Sequence, residues 1–429
     1  MSKTNESTRI TETKKFKNGW GYWWRTGRVE LPDYIVERDI RRHYTRLRKS
    51  GNVLGLVGLR RTGKTTFLKL TLKRLDDLER ACYFSFDLEG VSIRQLVEVF
   101  CERVLGEPIS ELEGEVHFLL DEVHNLENWS RHVKHFHDHY DNIQFTVTGS
   151  STANILKGAG ESLAGRFSTM RLRPFSFREY LRYHDIEPAE TSLDSNEVPR
   201  NARKLRVKFD GYLKDGGMPE LYRMENRRER LEEVIDLVFF RDVVELFDVG
   251  RSEILSGIFR ILAQNTGQRV NFANICDSLN SDFRTVTTYV NYLEDSFLLS
   301  RSMPYRKSEM SRRRKNPKIY VADHSYADLY GAEKGLIAET VAFNHLSRIE
   351  KPQYMRDPEI DIVLPEKELM FEVKHTSEIK ENTISRVAEK AKDERFKPFL
   401  VTEDVLDTRE VSDAEVHLIP LWFLCLASS

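Results

Sequence analysis

Cysteine is scarce: only Cys82, Cys101, Cys276 and Cys425 occur among 429 residues. None sits in a C-x-x-C pair and none has zinc-ligand spacing. That argues against a disulfide framework or a structural zinc, and for scattered reduced thiols in a reducing compartment. A dominant charge sign is missing as well, since 66 Lys and Arg face 68 Asp and Glu for a net charge of −2. Bulk electrostatics therefore predict no nucleic-acid binding, and any such contact must rest on local patches. Long hydrophobic runs are absent too. The longest, Leu418 to Ala427, is interrupted by Pro420 and is too short to span a bilayer. The first residues are polar and charged, without the apolar segment of a signal peptide. No internal repeat and no low-complexity tract stands out. These absences together predict a cytoplasmic protein with no membrane partner.

What is present suits packed domains. Hydrophobic residues make up 40% and charged residues 31%, and the length predicts about two to three domains. Residues Met1 to Lys17 are polar, and the cluster Trp20, Tyr22, Trp23 and Trp24 that follows is expected to pack an N-terminal arm onto a domain. From Asn52 to Pro174 short apolar runs alternate with helical stretches. The spacing predicts strands at Val53–Val57, Ala81–Phe86, Val116–Leu120 and Ile143–Thr148, and a helix from Thr65 to Leu78. Alternation of this kind predicts an α/β fold with a parallel sheet covered on both faces.

Between the first strand and that helix lies Gly58-Leu59-Arg60-Arg61-Thr62-Gly63-Lys64-Thr65, which fits G-x-x-x-x-G-K-[ST]. The glycines allow backbone N–H groups to face phosphates, and the helix N-terminus adds positive partial charge. Gly58, Arg61, Thr62, Gly63, Lys64, Thr65 and Thr66 are the expected nucleotide contacts. Lys64 is expected to reach the β/γ-phosphates of ATP and the Thr65 hydroxyl to ligate Mg²⁺. The strand Val116–Leu120 ends in Asp121-Glu122, so Asp121 is a second Mg²⁺ candidate and Glu122 the candidate activator of the attacking water. Ser150, after the fourth strand, is a candidate γ-phosphate sensor. Arg166, on a loop, is a candidate for stabilising transition-state charge in cis or across a subunit boundary. A strand-end turn and a surface ion pair remain the plain alternatives for these last two.

Gly58 to Thr66, Leu119 to Glu122, Thr148 to Ser151, Leu163 to Arg166 and Pro174 to Tyr180 resemble the prokaryotic AAA-type ATPase family of archaea and bacteria, with Gly216 to Glu220 and Phe239 to Asp242 as further signposts. The resemblance implies an AAA-like ATPase core, a winged-helix segment and an end similar to PD-(D/E)XK nucleases. The corresponding division is an arm at 1–34, the P-loop domain at 35–180, a helical linker or lid at 181–250, a winged helix at 251–325 and a nuclease-like domain at 326–429.

The residues themselves bear on the later parts. Ile254, Leu255, Ile258, Ile261 and Leu262 mark one amphipathic helix. Phe272, Ile275 and Leu279 mark a second, and Val286, Tyr289, Val290, Leu293 and Phe297 a third. The third would turn Arg284, Thr285, Thr287, Thr288 and Asn291 outward, where they can reach bases or phosphates. Two strands, Leu298–Tyr305 and Lys318–Ala322, would then flank a basic wing over Arg306 to Lys318, making DNA the expected partner. A homo-oligomer is compatible with the sequence. Toward the end, Asp361, Glu372 and Lys374 are spaced like the D…E-x-K signature, and Glu372 and Lys374 share a strand face. Asp361, Glu372 and Glu339 are candidate Mg²⁺ ligands and Lys374 the candidate to position a water. Two readings stay open: an ATPase whose end acts on DNA, and a nucleotide-dependent switch or binding protein whose nuclease-like end is catalytically inactive.

Overall fold

The computed structural model describes residues 29–428 apart from 88–89, 150–154, 156–158, 161, 196 and 306–315. The aromatic cluster at 20–24, Ser150 and the basic segment 306–315 lie outside the described residues. The chain divides into two compact units, Met1–Arg173 and Pro174–Ser429.

In the first unit the apolar runs become five strands: β1 (Val53–Val57), β2 (Ala81–Ser85), β3 (Val116–Asp121), β4 (Ile143–Gly149) and β5 (Phe167–Arg171). They form one sheet in the order β2-β3-β4-β1-β5, parallel throughout. Helices α1 (Arg41–Arg48), α2 (Lys64–Lys73), α3 (Ile93–Val99) and α4 (Trp129–His139) join and cover it. Every residue of β1 is buried, as a strand flanked on both sides by parallel neighbours requires. Tyr44 of α1 and Phe67 of α2 meet edge to face at 5.3 Å and share a core with Leu54, Leu56, Met170 and Leu172. This packing fixes the start of α2 against the end of β1. Since β1 lies between β4 and β5 while its helix leads to β2 at the far edge, the carboxyl ends of β1, β4 and β3 open onto the switch point where α/β sheets bind ligands.

The second unit begins with α5 (Phe177–Tyr183), α6 (Ala202–Asp215) and α7 (Arg227–Val238). The chain breaks after α6 because Gly216 takes φ +72° and a Cβ there would come within 2.6 Å of the Asp323 carboxylate. Asp323 in turn accepts the Gly217 N–H at 2.7 Å. Three helices follow, α8 (Ser252–Gln264), α9 (Phe272–Leu279) and α10 (Phe283–Asp295), then the antiparallel pair β6 (Leu299–Ser302) and β7 (Lys318–Val321). After α11 (His324–Leu329) and α12 (Lys334–Leu346) come β8 (Gln353–Met355), β9 (Ile360–Leu364) and β10 (Leu369–Val373). The chain ends in α13 (Glu381–Glu394), β11 (Lys397–Thr402), β12 (Asp407–Val411), β13 (Ala414–Pro420) and α14 (Leu421–Ala427). The six strands from β8 on form a mixed sheet in the order β12-β13-β11-β10-β9-β8.

The apolar run at 418–427 is thus half strand and half helix, with Pro420 as the residue where one becomes the other. Phe177 and Tyr180, from the Pro174–Tyr180 string, and the following Leu181 pack in the second unit's core with Phe371, Phe399 and Trp422. Among the described residues, no helix is long and apolar enough to cross a membrane.

Candidate functional site: a phosphate-binding turn and a second acidic cluster

The turn after β1 has the backbone its sequence demands. Gly58 adopts φ +151°, and a Cβ there would lie 2.2 Å from the Leu172 carbonyl oxygen. Gly63, at φ +93°, starts α2 without any side-chain cap, so the first N–H groups of the helix have no capping partner from that residue. A ten-residue helix opening in this way attracts anions through its N–H groups and its dipole. Thr62 closes the turn by donating its hydroxyl to the Leu59 carbonyl at 2.8 Å. Arg38 clamps the turn from outside, donating to the Thr62 carbonyl at 2.7 Å and to the Arg173 carbonyl at 2.6 Å.

Lys64 is buried, at 5% exposure. Its ammonium donates to the carbonyls of Gly58 at 2.9 Å and Leu59 at 3.2 Å. At the next residue, the Thr65 hydroxyl donates to Asp121 Oδ2 at 2.7 Å, joining residues 56 positions apart in the chain.

Asp121 receives three hydroxyl donors. Besides Thr65, Tyr83 donates to Oδ2 at 3.0 Å and Thr148 donates to Oδ1. Burial raises the Asp121 carboxyl above its ordinary range and the Glu122 charge adds to this, while the hydroxyl donors pull it back down without cancelling the rise. Among the described contacts its direct partners are these neutral hydroxyl dipoles, not an ammonium or guanidinium.

Glu122 leaves the strand in the left-handed region at φ +53°. Its N–H donates to Thr148 Oγ1 at 2.9 Å, and its carboxylate lies 3.2 Å from His124 Nδ1. Burial works against ionisation of Glu122, but His124, Lys64 and Arg60 outweigh it and hold the carboxyl below its usual value. Glu122 is therefore an ionised base at neutral pH, close to a buried acid whose direct partners are hydroxyl dipoles.

The residues fit Mg²⁺ here. A hydroxyl and a carboxylate are hard oxygen donors, and Thr65 Oγ1 and Asp121 Oδ2 already touch. Thr148, Tyr83, His124 and Arg38 are the site residues missed at the sequence level. Thr148 was legible as the last inward position of β4; the other three are brought in only by packing. Arg166 pairs with Asp138 at 2.9 Å and is half-exposed.

The second unit gathers its own acids. Glu339 on α12, Asp361 on β9 and Glu359 just before β9 converge on one ammonium, that of Lys318 on β7. The distances are 3.0, 3.0 and 3.1 Å. Lys318 is 2% exposed. Counting it as the end of a phosphate-binding wing is therefore corrected: a lysine sealed inside three carboxylates has no surface to offer a nucleic acid. Tyr320 adds a hydrogen bond to Glu339 at 2.7 Å.

Glu372 on β10 and Lys374 just past its end do face one another, with Lys374 Nζ 3.0 Å from Glu372 Oε1 and 3.9 Å from Asp361 Oδ2. Arg386 of α13 also donates to Glu372, and the Val373 N–H donates to Asp361 Oδ2 at 3.0 Å. Burial opposes the Lys318 charge, yet Asp361, Glu339 and Glu359 hold its pKa well above the usual lysine value. Asp361 is depressed because Lys318 and Lys374 overcome its burial. Glu339 is pushed up to about 7 by burial and by the neighbouring Asp361 charge. Among the described residues, no three His, Cys, Asp or Glu side chains are disposed to hold a metal ion. The expected Mg²⁺ ligands Glu339, Asp361 and Glu372 therefore do not form a ligand set, and the place between Glu339 and Asp361 is taken by the Lys318 ammonium.

Helix α10 buries Val286, Tyr289, Val290 and Leu293. Arg284 and Asn291 are exposed, whereas Thr285, Thr287 and Thr288 are half-buried. Thr285 is engaged in capping, its N–H and hydroxyl both donating to Asp282 at 2.9 and 2.6 Å. Phe283, at 61% exposure, adds an aromatic ring to this surface.

Comparisons with known proteins agree with the geometry of the first unit. Residues 50–181 match the model of an AAA domain, and residues 206–330 match that of a domain of unknown function, DUF8612. The stretch matched to the AAA domain holds the five-stranded parallel sheet of the first unit. The chain is similar to an uncharacterized protein of Haemophilus influenzae, 23% identical over 86% of this chain and 93% of that one. It is also similar to an uncharacterized protein of Methanocaldococcus jannaschii, 27% identical over 68% of this chain and 66% of that one. Among solved structures, a Walker-type ATPase of Pyrococcus abyssi aligns over 71% of this chain and 99% of its own, at 15% identity and a TM-score of 0.42. The ADP form of the Aeropyrum pernix ORC2 protein aligns over 73% and 97%, at 13% identity and a TM-score of 0.35.

Proposed function

We propose that the chain binds and hydrolyses ATP at the turn between β1 and α2, and that its second unit is a DNA-contacting, nuclease-like module that the nucleotide cycle controls. The observation that carries the ATPase reading is the 2.7 Å hydrogen bond between Thr65 and Asp121. It unites the glycine-rich turn with the acidic strand end, the two halves a triphosphate site needs.

In this reading the uncapped start of α2 holds the phosphate oxygens, and Lys64 turns its ammonium from the Gly58 and Leu59 carbonyls onto the β/γ-phosphates. Thr65 and Asp121 would hold Mg²⁺, which supplies charge neutralisation on the phosphates when bound. Glu122, ionised and held near His124, takes a proton from the attacking water. Thr148 ties the two acids together through one hydroxyl, so Glu122 cannot move far without disturbing Asp121. Ser150 as a phosphate sensor and Arg166 as a charge-stabilising group supplied to a neighbouring copy belong to the same proposal.

For the second unit, the order of α8, α9, α10, β6 and β7 supports a winged-helix reading. The exposed Arg284 and Asn291 on α10 are the DNA-facing residues in that reading. The mixed sheet carrying Asp361, Glu372 and Lys374 supports a PD-(D/E)XK-like reading. Of the two uses, cutting and non-cutting, the Lys318 ammonium among the carboxylates favours the second.

The test is phosphate release by the parent and by Lys64→Ala, each with and without duplex DNA. The parent is expected to turn over ATP, faster with duplex, and the variant to lose activity by roughly 100-fold or more. Absence of turnover in the parent refutes the ATPase, and a rate indifferent to every nucleic acid refutes the DNA arm.

A further inference from the structure

The nuclease-like reading brings a divalent metal with it, and the cluster it would occupy is already balanced. Glu339, Glu359 and Asp361 share the Lys318 ammonium, and a fourth carboxylate, Glu372, joins them through Lys374, which lies 3.0 Å from Glu372 and 3.9 Å from Asp361. Four cations contact them: Lys318 on the first three, Lys374 and Arg386 on Glu372, and Arg269 on Glu359 at 3.4 Å. With every group counted in its charged form, the formal sum is zero without any ion. Adding a divalent cation would leave two uncompensated positive charges beside a buried ammonium, which a low-dielectric interior strongly disfavours.

The geometry around Asp361 and the inner Glu339 oxygen is equally closed, and Glu372 Oε2 is the one buried oxygen of these carboxylates without a hydrogen-bond partner. Lys318 stands on β7, outside the sheet that carries Asp361 and Glu372, and reaches between Glu339 and Asp361 at 3.0 Å to each. The outer oxygen of Asp361 is not spare, because the Val373 N–H donates to it. The Tyr320 hydroxyl likewise donates to the Glu339 oxygen that faces Lys318. A metal between Glu339 and Asp361 would have to displace the ammonium, which would keep only the half-exposed Glu359 at 3.1 Å and the Tyr354 ring at 5.8 Å.

We infer that Lys318 is the resident cation of this cluster and closes it to divalent metal, so that the second unit does not cleave phosphodiesters by metal-dependent chemistry. The inference rests on the nuclease-like reading of the second unit but not on the ATPase. The cluster then serves as the ionic keystone that ties β7 and α12 to β9. The half-exposed Lys374 and Arg386 remain the cations available at its rim.

The experiment is a Mn²⁺ titration of the full chain without nucleotide, read by electron paramagnetic resonance, for the parent, Asp361→Asn and Lys318→Ala. Asn retains an oxygen for the Val373 N–H, so Asp361→Asn isolates the charge. The parent and Asp361→Asn should bind the same number of ions, and Lys318→Ala should gain one. An ion present in the parent and lost in Asp361→Asn overturns the inference, as does a folded Lys318→Ala that gains none. Should Lys318→Ala fail to fold, the first pair still decides. Duplex DNA incubated with the parent and Mg²⁺ or Mn²⁺ should stay intact, and cleavage that disappears in Asp361→Asn overturns the inference independently. Because no arm contains ATP, a failed ATPase assay leaves these outcomes unaffected.

Discussion

Two buried acidic centres in this chain answer the same electrostatic problem in opposite ways. Asp121 sits at the end of a parallel strand and is met by three hydroxyls, those of Thr65, Tyr83 and Thr148. Asp361 sits in a mixed sheet and is met by an ammonium at 3.0 Å, with a second one at 3.9 Å. Dipoles stabilise a carboxylate without neutralising it, so the first centre retains a field that draws a cation and a phosphate-bound metal. Ion pairs neutralise the second, which therefore behaves as structure. The opposite pKa directions of the two aspartates, up for Asp121 and down for Asp361, express this difference.

Substitutions sharpen the contrast. Glu122→Gln removes the ionised base and keeps the shape, so ATP turnover should drop by roughly 10²–10⁴-fold while equilibrium binding of a fluorescent nucleotide stays near the parent's. Equal turnover would remove Glu122 from the chemistry. Lys318→Met strips the cation from three acids and should cost about 3–5 kcal/mol of stability, the range for breaking a buried ion pair. Urea unfolding of the second unit, with ATPase activity preserved, checks this. A shift under about 1 kcal/mol, the size of a surface pair, would contradict a keystone role for Lys318.

Thr148→Val removes the hydroxyl shared by Asp121 and Glu122, and turnover should fall by about 10–100-fold, as for other groups that orient a metal ligand. The smallest effect concerns pH. Glu339 carries a folded-state pKa raised to about 7, so the folded chain binds a proton more tightly than the unfolded one. The parent's stability relative to Glu339→Gln should therefore rise as pH falls through 7 and level off near the ordinary glutamate range. Thermal melts of both proteins between pH 8 and 5 test the sign, and a parent that loses stability relative to the variant over that interval would reverse the assignment.

Legibility in the sequence followed the range of the interactions. The turn at Gly58–Thr65 is local: a buried strand, two glycines with positive φ and a helix start, all within one stretch of chain. The strand ends at Asp121 and Gly149 were equally visible from apolar runs. β5 escaped because Phe167–Arg171 is an edge strand with mixed burial and no clear alternation. β12 escaped because Asp407–Val411 is a polar edge strand with no buried residue, and β13 because an apolar run that changes from strand to helix at Pro420 has no single period. Lys318 escaped for a different reason. In the sequence it closes a stretch of arginines and lysines and looks solvated, and only the approach of α12 and β9, from residues at least 21 positions away, shows that it is enclosed.

The contrast between the centres is tested most directly by counting Mn²⁺ ions on the full chain in the presence of a non-hydrolysable ATP analogue. One bound ion is predicted, lost in Asp121→Asn and retained in Asp361→Asn. An ion that survives Asp121→Asn and vanishes in Asp361→Asn would contradict the account at its centre.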